Sequence, residues 1–558
     1  MQVFSKLRYS LLALAAAFVL VIACKNDDTP EPVVTISGIN PSSAPAGADI
    51  KITGTEFGST VSAVTVTFTG GAKGTVKAVT PTEITATVPT GVQNGPVTVQ
   101  VGNKSATSSA SFSLGAKPVV EVQNEITTST TWNSNTVYLI RGFVYVRDGV
   151  TLTIQPGTVI KGALKEQDPS GQQKGGTLIV QPGGKLIAEG TADRPIVFTS
   201  SKPAGQRGYG DWGGIVLIGK APINRPGSQN FEGGIAGTTG TFNLPADNSG
   251  VLKYVRIEFA GVALSNATNS EINGLTLYGV GTGTVIDYVQ VSYSGDDAYE
   301  WFGGTANAKH LIAYRNFDDD FDADWGFTGK VQYALTLRDP AIADQSGSNG
   351  FESDNFSGDG TPATGPNAGL PLTEPIFANV SAFAFSGTPV TTFAPPASGP
   401  YQSAMHLRRN TAISIFNSVF VGYPEGLRLD QAPTYANVTG GKLQLRGIVL
   451  ANMNTPVRGA GTVTDAQVQE FFGTAAFKNQ IVAAANLGTL GLNPNTFRLD
   501  GTAAFTPNTG SPLLTGAIWD GKGADGFFTK ETFIGAFGAQ NWAEKWANFN
   551  PQQTDYDK

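Results

Sequence analysis

The chain has 558 residues, a net charge of −7 and only 15% charged residues, with 69 glycines and 32 prolines. That turn-rich composition argues against long helices, and an acidic balance with no basic tract argues against nucleic acid as a partner. A single cysteine excludes a disulfide framework within the chain.

Residues 1–23 come first. Lys6 and Arg8 precede the apolar run Leu11–Ala23, which is shorter than the roughly 20 residues of a membrane-spanning helix. Val21-Ile22-Ala23-Cys24 resembles a bacterial lipobox, which implies a signal peptide over 1–23 and lipidation of Cys24. Residues 24–32 then form a tether. Its Lys25-Asn26-Asp27-Asp28 resembles the acidic surface-export signal of Bacteroidetes lipoproteins. These resemblances imply an outer-membrane protein held by lipid and facing the cell exterior. They also make an outer-membrane transporter a candidate partner.

From residue 33 the pattern is that of short strands. Ile50 and Ile52, then Val64, Val66 and Phe68, Ile84 and Val88, and Val97, Val99 and Val101 alternate with polar residues between Gly and Pro turns. Such alternation predicts a sandwich of about seven antiparallel strands. Ile36-Ser37-Gly38-Ile39-Asn40-Pro41 and Ile50–Gly58 resemble the IPT/TIG family of immunoglobulin-like domains. The resemblance spans 33–115 and implies a spacer with no site of its own.

From 118 to 558 internal repeats predict a right-handed parallel β-helix, so the chain as a whole is all-β. Thr151–Gly157 recurs at Thr177–Gly183, and Val251–Phe259 recurs at Val285–Tyr293. Offsets of 26 and 34 residues suit rungs that bury an apolar face only against their neighbours. The repeats resemble the pectin-lyase-like superfamily. Tyr209–Gly214, Ser357–Pro375 and Ser386–Pro400 read as inserted loops, Asp465–Ala485 as a short helix, and Ile534–Phe549 as an end cap.

One corner repeats five times, at Ala298–Phe302, Asp320–Asp324, Gly350–Asp354, Ala404–Arg408 and Gly426–Asp430. Its second position is large and points inward, so the third and fifth point outward together. Stacked rungs then give one column of Glu300, Asp322, Glu352, His406 and Arg428. The next column is Phe302, Asp324, Asp354, Arg408 and Asp430. Asp296-Asp297 aligns with Asp318-Asp319 and adds two more acidic pairs. Like charges about 4 Å apart repel by about 4 kcal/mol at an effective dielectric of about 20. A cation, nearby arginines or retained protons must offset this. Asp318, Asp319, Asp320, Asp322 and Asp324 form a candidate Ca²⁺ site, although their spacing is not that of an EF-hand loop.

The same face offers Glu300, Asp322, Glu352, His406 and Arg408 as candidate catalytic groups. Tyr299, Trp301, Phe302, Trp325, Arg428 and Asp430 are candidate contacts for a sugar, with Phe327 and Trp212 nearby. By strict alternation Tyr299, Trp301 and Trp325 share the inward parity and reach a ligand only if the chain bends. Gly295-Asp296-Asp297-Ala298 resembles the paired-Asp motif of polygalacturonase-like hydrolases. That family's Gly-His-Gly is absent, its Arg-x-Lys element is not found where it would be expected, and the histidines are only His310 and His406. Three functions stay open: capture of an extracellular polysaccharide, cleavage of one by a lyase or hydrolase, and a non-catalytic adhesin. The missing motifs favour capture, with Ca²⁺ as the only cofactor expected.

Overall fold

The computed structural model describes residues 33–557 except 226–230, 236–240, 264–270, 345–346, 356–368 and 390–399. The leader, Cys24, the tether and most of the loops at 357–375 and 386–400 lie outside the described residues. Two compact units divide at Ala116 and Lys117. Among the described residues no helix is long and apolar enough to cross a membrane.

The first unit is an immunoglobulin-like sandwich. Strands Thr35–Asn40, Asp49–Thr55, Glu83–Thr87 and Lys73–Val79 pair antiparallel in that order, and Val64–Thr67, Gly95–Val101 and Lys104–Leu114 form the facing layer. Ile50, Ile52, Val66, Ile84, Val97 and Val99 are fully buried and meet Phe57 and Phe112 in one core. Period-two alternation therefore produces the core, as half-buried strands require.

The second unit is a right-handed parallel β-helix. Its long strands stack in register: Val251–Glu258, Val285–Ser292, Ala308–Tyr314, Lys330–Leu337, Ile376–Phe383, Ser414–Val421 and Leu445–Ala451. The 34-residue repeat is one rung, with Val251 beside Val285 and Glu258 beside Ser292. The 26-residue repeat is not. Thr151–Ile154 pairs with Lys185–Ala188, whereas Thr177–Val180 pairs with Phe143–Val146. The two copies share a strand followed by a Gln-Pro-Gly turn, and that local unit serves two different faces.

The first six of these long strands each bend at one left-handed residue that is not glycine. Tyr254, Tyr288, His310, Tyr333, Asn379 and Asn417 have φ of 51°, 55°, 54°, 65°, 57° and 50°. Strain of that kind persists only where surroundings enforce it. Here the four rings stack at 4.4, 4.1 and 4.8 Å between centroids, one above the next.

The end of the chain departs from the expected cap. The helix Asp465–Phe472, started by a Thr464–Gln467 capping box, buries Val468, Phe471 and Phe472 against the end of the coil core. Everything after Val482 instead runs back along the outside as a strap. Its Leu490, Phe505, Leu513, Ile534, Phe537 and Trp546 cover the outward Ile312, Leu335, Phe383, Val419 and Val449. Side chains of the coil peg it in reverse chain order: Asn417 to Ile518, Gln332 to Thr529, Gln290 to Asn548, Arg207 to Pro551. The long strands carry apolar residues on both faces, so the outer face also needs cover, and the strap supplies it. Tyr556, near its tip, packs on Val137, Val159 and Val197 and donates to buried Glu258 at 2.7 Å. Tyr556→Phe is expected to cost about 1–3 kcal/mol, read as a lower urea midpoint, because it strips a buried carboxyl of its partner.

Candidate functional site

The short strands Tyr299–Phe302, Phe321–Asp324, Phe351–Ser353, Ser403–Leu407 and Glu425–Asp430 carry the charged column. Pairing sets Glu300 beside Asp322, Asp322 beside Glu352, Glu352 beside His406 and His406 beside Arg428. The alignment of five corners thus corresponds to five stacked rungs. Asp297, Asp318, Asp319, Asp322, Glu352 and His406 line a cleft of about 330 Å³, closed by Gly347, Gln402, Arg408, Arg428 and Asp430.

A hydrogen-bond ladder fixes one wall. Asp297 Oδ1 accepts the Asp319 N–H at 2.8 Å, Asp319 Oδ1 accepts that of Asn349, and Asn349 Oδ1 accepts that of Ser403 at 3.1 Å. One oxygen of Asp297 and one of Asp319 therefore serve the corner turns. In the opposite half Arg408 holds both Glu352 and Asp354, and Arg409 holds Asp354. His406 lies 3.8 Å from Glu352 and 3.8 Å from Asp430.

Among the described residues Asp297, Glu300, Asp319 and Asp322 form no ion pair, and a buried oxygen of Asp322 has no hydrogen-bond partner. Oxygens of Asp297, Asp318 and Asp319 lie within 4.8 Å of one another, as do those of Asp297, Glu300 and Asp322. Burial, then the neighbouring carboxyls, pushes Asp297, Asp318, Asp319, Glu300 and Asp322 well above the usual carboxylate range. Burial also raises Glu352, against the pull of Arg408. Burial lowers His406, leaving it neutral at pH 7, while the His406 ring beside Asp430 holds that carboxyl low.

Several expected site residues fall elsewhere. Tyr299, Trp301 and Phe327 lie inside the coil, as does Trp212, whose indole donates to Glu258 O at 2.8 Å. Their inward parity holds because the corner does not break the alternation there. Phe302 does point outward, but it stacks on Tyr278 at 4.4 Å and meets Trp325 at 4.9 Å, in a cluster that Phe231 of the segment following Ile218 joins by stacking on Tyr278 at 4.2 Å. None of these aromatics reaches the cleft. Asp320 turns into the core, where Arg338 Nη1 stands 3.2 Å away and both side chains are 0% exposed. Asp324 lies outside the cleft 3.8 Å from Arg225, with its carboxyl raised by burial to about 7. The five-Asp calcium set therefore splits: Asp318, Asp319 and Asp322 stay together, while Asp320 and Asp324 leave. Arg428 and Asp430 do line the cleft. Sequence reasoning passed over Gln402 and Asn349. Asn349 occupies the same corner position as Asp297 and Asp319, a signal that was legible in the repeat.

A carboxyl whose pKa is raised on folding binds its proton more tightly in the folded chain. Its favourable contribution is complete below the unfolded pKa and is lost as pH climbs through the folded value. Asp322→Asn removes one such group. That variant is expected to gain in urea midpoint over the natural chain as pH rises from about 5 to about 8; a constant difference would contradict the raised pKa.

Comparison with known proteins places this architecture. Residues 124–489 match the pectate-lyase like β-helix domain, and residues 34–114 match the IPT/TIG domain. The chain belongs to the pectate-lyase-like β-helix family. No curated protein sequence matches it. Among solved structures, an auxiliary nutrient binding protein from Bacteroides thetaiotaomicron is 23% identical over 16% of this chain, with a TM-score of 0.15. This chain spans 22% of that protein's length. Dex49A from Penicillium minioluteum is 13% identical over 79% of this chain and 82% of its own, with a TM-score of 0.26. The catalytic unit of a GH87 α-1,3-glucanase from Streptomyces thermodiastaticus is 9% identical over 75% and 82%, with a TM-score of 0.16. Likeness this distant carries no argument about activity.

Proposed function

We propose that this β-helix protein binds an extracellular polysaccharide in the acidic cleft and hydrolyses it with carboxyl groups. The observation that carries the reading is a buried set of neighbouring carboxyls in which Asp297, Asp319 and Asp322 form no ion pair among the described residues, beside a cleft large enough for a ligand. Crowded carboxyls cannot all ionise, so some keep protons at neutral pH while others do not. Asp322 then donates its proton to the glycosidic oxygen. The Asp297–Asp318–Asp319 group takes a proton from the water that attacks the anomeric carbon. Arg408, Arg428 and Gln402 orient the sugar. Burial of the aromatic candidates counts against a platform that only stacks sugars, and the match to a pectate-lyase like domain supports carbohydrate as the ligand class. The test is release of reducing ends from neutral and acidic polysaccharides. None released from any of them would remove the hydrolase reading.

The two three-carboxyl groups favour a second reading, in which one Ca²⁺ neutralises the cluster and the cleft only binds, or acts as a lyase. Added Ca²⁺ is then expected to raise the melting temperature over that in EDTA, and Asp322→Asn to remove the shift. No Ca²⁺ shift in the natural chain would leave protons as the balancing charge. In either case we propose a surface lipoprotein, lipidated at Cys24, with the IPT/TIG domain as spacer.

A further inference from the structure

A second cavity, of about 370 Å³, lies around the corner from the acidic cleft. Its walls come from three places: Arg207 and Tyr209 in the loop that follows Ser200, Tyr293 and Arg315 on the coil, and Gln552 and Gln553 on the strap. In contrast to the cleft, no carboxylate lines it among the described residues. Arg207 is 3% exposed. Its Nη1 donates to Pro551 O at 2.7 Å and Thr554 O at 2.9 Å, and its Nε to Lys202 O at 3.2 Å. Its Nη2 is buried without a hydrogen-bond partner, and so is Tyr209 Oη. The Arg315 guanidinium lies 4.9 Å over the Tyr293 ring and pairs with Asp339. Glu258, the carboxylate on the Arg207 side, accepts from Tyr556 at 2.7 Å through Oε1 and stands 3.7 Å from Arg256, while its Oε2 is buried without a hydrogen-bond partner. Buried polar atoms in folded proteins are nearly always paired, so two orphans at one cavity point to a missing acceptor.

We propose that this cavity binds a small organic oxyanion, a carboxylate or sulfate carried on a hydroxyl-rich body. Guanidinium groups match such oxyanions in geometry as well as charge. The phenols and amides suit hydroxyls, and the volume falls in the range of roughly 300–1,000 Å³ that accommodates small molecules rather than a bare ion. The site is separate from the cleft and does not depend on catalysis there.

Calorimetric titration of the full chain with glucuronate, glucose and inorganic sulfate tests this. Saturable glucuronate binding is expected, with no glucose binding and sulfate at least about tenfold weaker. Arg207→Gln should weaken glucuronate by about tenfold or more. Because Arg207 also ties down the strap, Tyr209→Phe is the gentler variant: it removes a hydroxyl that has no partner in the protein and should weaken glucuronate several-fold. Asp322→Asn, in the cleft, should leave binding unchanged. Absence of saturable glucuronate binding, or full affinity in folded Tyr209→Phe, would overturn the proposal. Loss of binding in Asp322→Asn would place the ligand in the cleft and overturn it as well. Sulfate binding as tightly as glucuronate would make the occupant a free oxyanion and overturn the organic ligand.

Discussion

Asp322→Asn is expected to lower polysaccharide cleavage by about 10²–10⁴-fold, the usual range for loss of a general acid. The substitution keeps the shape of the side chain but removes the titrating proton. Asp322 stands between Glu300 and Glu352 in the charged column, lines the cleft, and has a buried oxygen with no hydrogen-bond partner among the described residues. The loss should fall on kcat. A purely binding role would raise KM and leave kcat in place. The same variant should be the more stable one at neutral and higher pH, because one member of a mutually repelling set has gone. Lower activity with higher stability is the signature of a site built against the stability of its fold. Lower activity with lower stability would instead make Asp322 a structural residue.

Arg338→Met is expected to cost about 3–5 kcal/mol, the typical effect of removing one partner from a buried ion pair. Arg338 and Asp320 are both fully buried, with Nη1 3.2 Å from Asp320 Oδ1. Removing the arginine leaves a carboxylate in the coil interior with no counter-charge. Nη1 also donates to Asn349 O at 2.9 Å, and Asn349 in turn grips Asp319, so the same loss loosens one wall of the cleft. Converting Asp320 to Leu as well should recover most of the stability, since two buried apolar groups replace an ion pair at little net cost. Urea unfolding of the single and double variants measures both effects. An unstable double variant would show that Arg338 acts mainly through the backbone carbonyls it binds.

Sequence periodicity revealed the sandwich core, the rung at offset 34 and the charged column, because each rests on side-chain alternation along one strand. The alternation alone told that Phe302 faces outward and Trp301 inward. It could not tell that Tyr278 and Trp325 take Phe302 into a cluster completed by Phe231, which arrives from an insertion. The pairing of Thr151–Ile154 was misread because a strand-and-turn unit looks the same on every face of the coil. The strap from Ala483 onward has little regular structure and no periodic pattern, so nothing in its text showed that it folds back over Phe383 and Val419. The sequence pattern puts Asp320 on the outer corner because its partner, Arg338, comes just after the next long strand and inside the coil, where sequence spacing gives no hint of contact. The raised carboxyl pKa values follow from burial at the corner, which a count of acidic residues does not report.

The most direct measurement of what the cleft does is reducing-end release by the natural chain and by Asp322→Asn, across pH, on a panel of neutral and acidic polysaccharides, with EDTA and with Ca²⁺. Carboxyl-driven hydrolysis predicts new reducing ends on at least one polymer, a bell-shaped pH profile, activity that survives EDTA, and near-complete loss in Asp322→Asn. No cleavage of any polymer, together with equal glycan-induced stabilisation of both chains, would contradict it and leave the cleft without a catalytic role.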